Sequence, residues 1–167
     1  MVDKILPAVA LRDSVIFPNV ETLLTFGRSK SNASLKAAYG GSPDRLLAVF
    51  AQKDGRIEDP KPEDLYQIGT LVSLQNIFET EGNITAGAQG IVRIQLEEVI
   101  QTEPYLLVKV KEVPDLINKN EEINALSIHL VNQFKQAFNL GKNIDPLILI
   151  RLSSGVSSTE LADQIAS

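Results

Sequence analysis

The hydrophobic period of this chain changes at Pro114. Ahead of that proline, short apolar runs alternate in steps of two; behind it, apolar residues recur in steps of three and four. This patterning predicts a β-rich part followed by a helical part, because side chains alternate across a strand but return to one helix face about every 3.6 residues. Residues 92–96 and 106–111 alternate, while 5–11 and 46–52 are compact apolar runs. Residues 68–78 and 84–88 flank Thr80-Glu81-Gly82-Asn83, whose glycine can take the positive φ of a tight hairpin. Short strands linked by turns predict a small, partly closed barrel. One helix interrupts them over residues 33–39, with Ser31 or Asn32 placed to cap it and Gly40-Gly41 placed to end it. Asp59-Pro60-Lys61-Pro62 is a loop, since prolines so close together suit neither a helix interior nor a central strand.

The second part opens with Asn118, three residues ahead of Glu121 as in a capping box. Ile123, Leu126, Leu130, Phe134, Ala137 and Phe138 then follow at helical spacing up to Gly141. A short segment over 146–152 comes next, and Ser157-Ser158-Thr159-Glu160 caps a last helix over 161–166. So short a helix is marginal without further packing, which predicts that the natural protein continues beyond Ser167. The expected organisation is α+β: a β-rich domain over 1–113, a linker over 114–118 and the start of a helical subdomain over 119–167.

Composition narrows the function classes. With 167 residues and 44% of them apolar, the chain can bury one ordinary core. No stretch approaches the roughly 18 consecutive apolar residues of a membrane span, and no cleavable leader is visible, so a soluble cytoplasmic protein without membrane contact is expected. The absence of cysteine removes disulfides and thiolate chemistry. A net charge of -5, with basic residues scattered among 21 acids, speaks against a nucleic-acid partner.

Chemical candidates are few. His129 is the only histidine and falls about 100° from Leu130 around its helix, as a surface or boundary residue would. Without a Gly-x-Ser-x-Gly elbow, no Ser-His-acid triad is expected. Ser29-Lys30-Ser31 has the residue types of a Ser-Lys dyad, but neighbours at a helix entrance point apart. Asp54, Glu58, Asp59, Glu63 and Asp64 crowd together without the spacing of a calcium loop, and read as a solvated acidic loop. Asp13 beside Arg12 reads as a turn or ion-pair feature. No catalytic residue, metal site or cofactor is expected within this chain.

Several segments resemble one known family. Leu11-Arg12-Asp13 ahead of Phe17-Pro18, then Phe26-Gly27-Arg28-Ser29-Lys30-Ser31, resemble the opening strand and first helix entrance of the N-terminal domain of ATP-dependent Lon proteases. Ala51-Gln52-Lys53-Asp54, Asp59-Pro60, Asp64-Leu65-Tyr66 and Ile68-Gly69-Thr70 follow at similar spacing. Val92-Arg93-Ile94, Glu103-Pro104-Tyr105 and the Leu161-Ala162-Asp163-Gln164-Ile165-Ala166 helix extend the likeness over the whole chain.

The resemblance implies a PUA-like pseudobarrel that selects substrates and cuts nothing, within a hexameric protease whose later segments use ATP and Mg2+ and a Ser-Lys dyad. This chain carries no Gly-x-x-x-x-Gly-Lys-Ser/Thr phosphate cradle. The implied partners are unfolded or degron-bearing proteins and further copies of the chain in a homo-oligomer. The alternative is a stand-alone adaptor that carries a Lon-type domain and acts only through protein–protein contact. Phe17, Leu23, Leu24, Phe26, Arg28 and Lys30 are the candidate substrate-binding residues. Large apolar side chains mostly belong in the core; those of this group left outside would form a small apolar patch, flanked by cations, that suits unfolded polypeptide. Ile128, across its helix from Leu126 and Leu130, is the candidate for contact with another subunit or with the rest of the protein.

Overall fold

The computed structural model describes residues 3–41, 43–116, 120–144 and 146–167. It divides into two compact units, one reaching Pro114 and one spanning Asp115–Ala166. The first contains β1 (Lys4–Leu11), β2 (Glu21–Phe26), α1 (Ser29–Gly41), β3 (Leu46–Ala51), a 3-10 turn at Pro62–Asp64, β4 (Ile68–Thr80), β5 (Asn83–Gln101) and β6 (Leu106–Glu112). The strands make one sheet in the order β2-β5-β4-β3-β1-β6, and β6 pairs again with β5, so the sheet curls into a partly closed ring. Among the described residues only β1 and β3 run parallel; β2 and α1 provide the long crossover that a parallel pair needs.

Strand β3, Leu-Leu-Ala-Val-Phe-Ala, is apolar on both faces because both are covered. Leu47 and Val49 join a cluster with Val9, Leu24, Phe26, Leu35, Leu74 and Ile84, which includes α1 and β2. Ala48 and Phe50 face the other way, into a cluster with Leu71, Ile94, Leu96, Val108 and Val110 from the remaining strands.

Three local features depart from the sequence expectation. First, residues 21–26, which carry no clear strand pattern because Leu23-Leu24 breaks strict alternation, form β2; pairing with β5 turns Leu24 and Phe26 inward and Leu23 and Thr25 outward. Second, residues 84–88 and 92–96 belong to one long strand. The pairing of β5 with β4 slips between Val92–Leu71 and Gly90–Val72, a bulge that turns Ile91 outward and interrupts the alternation. Third, α1 begins at Ser29, so Ser31 and Asn32 lie within it and do not cap it. Asn32 instead donates its side-chain amide to the Gly82 carbonyl at 2.8 Å. The hairpin itself forms as patterned, with Glu81 at φ 51° and Gly82 at φ 83°, the two positive angles of a mirror-image turn.

Residues 17–20 cross β5 closely. Asn19, at φ 61°, donates its N–H to the Gly90 carbonyl at 2.9 Å, and Gly90 donates to the Val20 carbonyl at 2.9 Å, so the chain enters β2 through a bulge. A Cβ at position 90 would collide with the Phe17 carbonyl.

The second unit holds α2 (Glu121–Asn139), α3 (Pro146–Ser153) and α4 (Ser158–Ala166). Asn118 lies outside the described residues; the cap of α2 is Asn120, whose side-chain oxygen accepts from the Ile123 N–H at 2.8 Å. Gly141, at φ 82°, follows the C-terminal end of α2, and Ser157 accepts from the Glu160 N–H at the start of α4. The half-buried stripe of α2 runs through Ile123, Ser127, Leu130, Phe134 and Ala137, and Leu126 and Phe138 lie outside it, exposed.

Gly90→Ala is expected to cost roughly 2 kcal/mol, since the crossing loop cannot be displaced without losing both of its hydrogen bonds to residue 90. Urea unfolding checks this, and a wild-type midpoint would show that the crossing gives way freely.

Candidate functional site

Residues 23–28, from β2 and the turn after it, face residues 10–14, from the end of β1, across a cleft of about 590 Å³. A second cleft of about 510 Å³ lies between β1, the start of α1 and the loop at Glu58–Pro62, and shares Ala10, Arg28 and Ser31 with the first.

Arg28 is the strut between them. Phe26 is the last residue of β2 and Ser29 the first of α1, so Arg28 stands at the corner with its side chain directed at the end of β3. Its guanidinium donates to the Gln52 side-chain oxygen at 2.9 Å and to the Ile57 carbonyl at 3.1 Å. Gln52, almost fully buried, donates in turn to the carbonyls of Asp54 and Ile57. Burial and then the charge of nearby Arg12 hold the Arg28 pKa below its usual range, against a weaker pull from Asp59 and Glu58.

Lys30 reaches Asp59 at 2.9 Å and Glu103 at 2.8 Å, and hydrogen bonding to these two carboxylates raises its pKa. An amine held protonated in this way is the opposite of the general base that a Ser-Lys dyad needs. In the acidic loop Arg56 grips Asp54 through its guanidinium at 2.7 Å and its backbone N–H at 3.0 Å, which lowers the Asp54 pKa to about 2. Asp64 accepts from the Lys61 N–H at 2.8 Å. Among the described residues no cluster of three or more His or carboxylate side chains could hold a metal ion.

The six candidate residues separate by position. Leu24 and Phe26 are core residues, 8% and 6% exposed, while Leu23 is 74% exposed on the rim of the first cleft. Phe17 is half-buried in the segment that crosses Gly90, and Arg28 and Lys30 are half-buried and already engaged. Ile128, in the second unit, is exposed on α2. Sequence reasoning missed Phe78. It is exposed and stands in register with Thr85, which in turn faces Thr25, so Phe78 and Leu23 share the outer face of β4, β5 and β2. Nothing local signals this, because the side to which Phe78 points depends on the bulges in β4 and β5. The opposite wall at Ala10–Ser14 and the buried Gln52 were likewise invisible as site residues, since their place follows from the crossover.

Comparison with known proteins decides the lineage. The family model for the ATP-dependent protease La (LON) substrate-binding domain matches residues 5–167. The chain belongs to that family. A Lon protease of Syntrophomonas wolfei is 32% identical over 163 residues, and one of Desulforamulus reducens 31% identical over 165. These matches take in 97% and 98% of this chain but 20% of each relative, so the Lon domain described here spans about a fifth of their length. In fold it is similar to the N-terminal domain of the Mycobacterium avium complex Lon protease, with a TM-score of 0.70 at 21% identity over 96% of this chain and 80% of the other. A Lon N-terminal domain protein from Xanthomonas campestris gives a TM-score of 0.56 at 15% identity, over 98% and 97% of the two chains. Among the described residues of this Lon domain, no helix is long and apolar enough to cross a membrane.

Two predictions test the geometry of the site. Phe26→Asp places a carboxylate in the core and should cost at least roughly 3 kcal/mol, read by thermal or urea unfolding. In an NMR titration the Asp54 carboxyl should have its midpoint at about 2 and return toward the ordinary 3.8 in Arg56→Gln. The sign follows from the depression: whatever this pairing adds to loop stability is present above pH 3.8 and lost as pH falls toward 2.

Proposed function

We propose that this chain is the substrate-recognising part of an ATP-dependent Lon-type protease. It holds unfolded or degron-bearing polypeptide and delivers it, while nucleotide hydrolysis and peptide cleavage belong to segments beyond this fifth of the relatives' length. The observation that carries the reading is the uncovered apolar surface beside the first cleft, where Leu23 and Phe78 stand exposed on one sheet face. A folded protein hides such side chains and an unfolded one displays them, so the surface discriminates by accessibility.

In this reading ATP and Mg2+ act on other segments of the protein. The adjacent glycines Gly40-Gly41 lie at the C-terminal end of α1, where the helix dipole is negative and repels phosphate. In this reading recognition needs no cofactor in this part. Each contact is weak because an ordered segment loses conformational entropy, and copies joined in a ring compensate by raising the effective concentration. The exposed Ile128 on α2 is available to the ring or to the rest of the protein.

Fluorescence anisotropy of this chain with one labelled protein, offered folded and permanently unfolded and without ATP, is expected to show tighter binding of the unfolded form. Equal binding of both forms, or none at high concentration, overturns the reading.

A further inference from the structure

The wall of the ring opens beside β2. Strand β5 gives one edge to β4 along most of its length and shares the other between β2, over Ile84–Gln89, and β6, over Ile94–Gln101. Among the described residues, β2 pairs with β5 alone, so its outer edge carries backbone groups without a sheet partner. Across the cleft, β6 leaves β1 at Ala8, and from there to Leu11 β1 is paired on the β3 side only. Six consecutive residues, 23–28, line this cleft, which happens where a groove runs along the edge of a strand and not across one face.

The parity of the edge can be read from the bulge. Gly90 donates to the Val20 carbonyl, so Val20 is a hydrogen-bonded position, and in antiparallel pairing Thr22, Leu24 and Phe26 follow it. The N–H and C=O groups of Glu21, Leu23 and Thr25 therefore face outward, those of Leu23 and Thr25 into the cleft. Natural proteins usually protect an open edge with lysine, proline or a mid-strand bulge. From Thr22 to Phe26 this one has no charged residue and no proline. Polarity at the groove's end adds a preference. Arg12 and Arg28 sit there together, Arg28 spends its hydrogen bonds on neutral acceptors, and no carboxylate pairs with Arg12 among the described residues, although Asp13 lines the same wall.

We propose that β2 takes up an extended segment of the captured polypeptide as an added strand, held by the outward backbone groups of Leu23 and Thr25 and with an acidic residue of the segment toward Arg12 and Arg28. This rests on the substrate-recognition reading and gives it a mode of contact. Backbone pairing is blind to side-chain identity, so it suits a site that must accept many sequences, while the alternate positions of the segment lie against Leu23 and the cleft.

The test uses a reduced, carboxymethylated protein and a ten-residue peptide from it that the chain binds. The peptide is also made in two N-methylated forms that block alternate sets of amides. One form is expected to lose at least about tenfold in affinity and the other to bind within about twofold of the parent, since two missing backbone hydrogen bonds are worth on the order of a tenfold change. Thr25→Pro and Leu23→Pro remove outward N–H groups that β5 does not use, and each should weaken binding of the carboxymethylated protein by a similar factor with an unchanged circular dichroism spectrum. If both methylated peptides bind like the parent, strand addition is wrong while the recognition reading stands. If the wild-type chain binds neither the carboxymethylated protein nor the peptide, both fall. If Thr25→Pro instead abolishes a concentration-dependent dimer in sedimentation and leaves peptide binding alone, the edge belongs to a second copy of the chain and the proposal is overturned.

Discussion

Strand β5 is the constraint on which the first unit depends. At 19 residues it is long enough to serve three partners, β4 on one edge and β2 and β6 in succession on the other. A straight strand could not follow all three around a ring. Three register shifts, opposite Leu71/Val72, Val110/Lys109 and Val108/Leu107, supply the bends, each putting one extra residue into the strand. Ile91 and Ile100 are the outward residues of two such bends, which is why they are exposed although apolar. Their exposure needs no partner to explain it.

The division of one strand edge between β2 and β6 also creates the candidate site. Because β1 pairs with β6 and not with β2, the ring closes at one end and stays open at the other. The close crossing of Phe17 over Gly90 enters β2, and the Arg28–Gln52–Ile57 network holds the corner that leaves it. The edge strand is thus anchored at both ends and unpaired along one side, a combination that keeps its backbone groups in place for a ligand at little further entropic cost.

Much of this was legible from the residues. Compact apolar runs marked β1 and β3, period-two alternation marked β6 and part of β5, the glycine-centred turn marked the β4–β5 hairpin, and Ser157 marked the start of α4. Misreadings cluster where tertiary pairing overrides local pattern. Leu23-Leu24 conceals a strand that pairing alone makes regular, the bulge at Ile91 splits β5 on paper, and Asn32 resembles a cap although the Gly82 carbonyl claims its amide. Among the site candidates, Leu24 and Phe26 differ in exposure from Leu23 because neighbouring positions of a strand point to opposite faces.

By itself, then, the sequence determined the order and kind of most elements, the change from sheet to helix after Pro114, the absence of a phosphate cradle and the family of the chain. Those properties depend on local period, on turn residues and on motif spacing. Which apolar side chains stay outside, that Lys30 is locked between two carboxylates, and that β2 has an open edge were decided only by the tertiary structure. Each of these depends on how distant strands share the edges of β5, and such non-local pairing leaves no mark on the residues that it exposes.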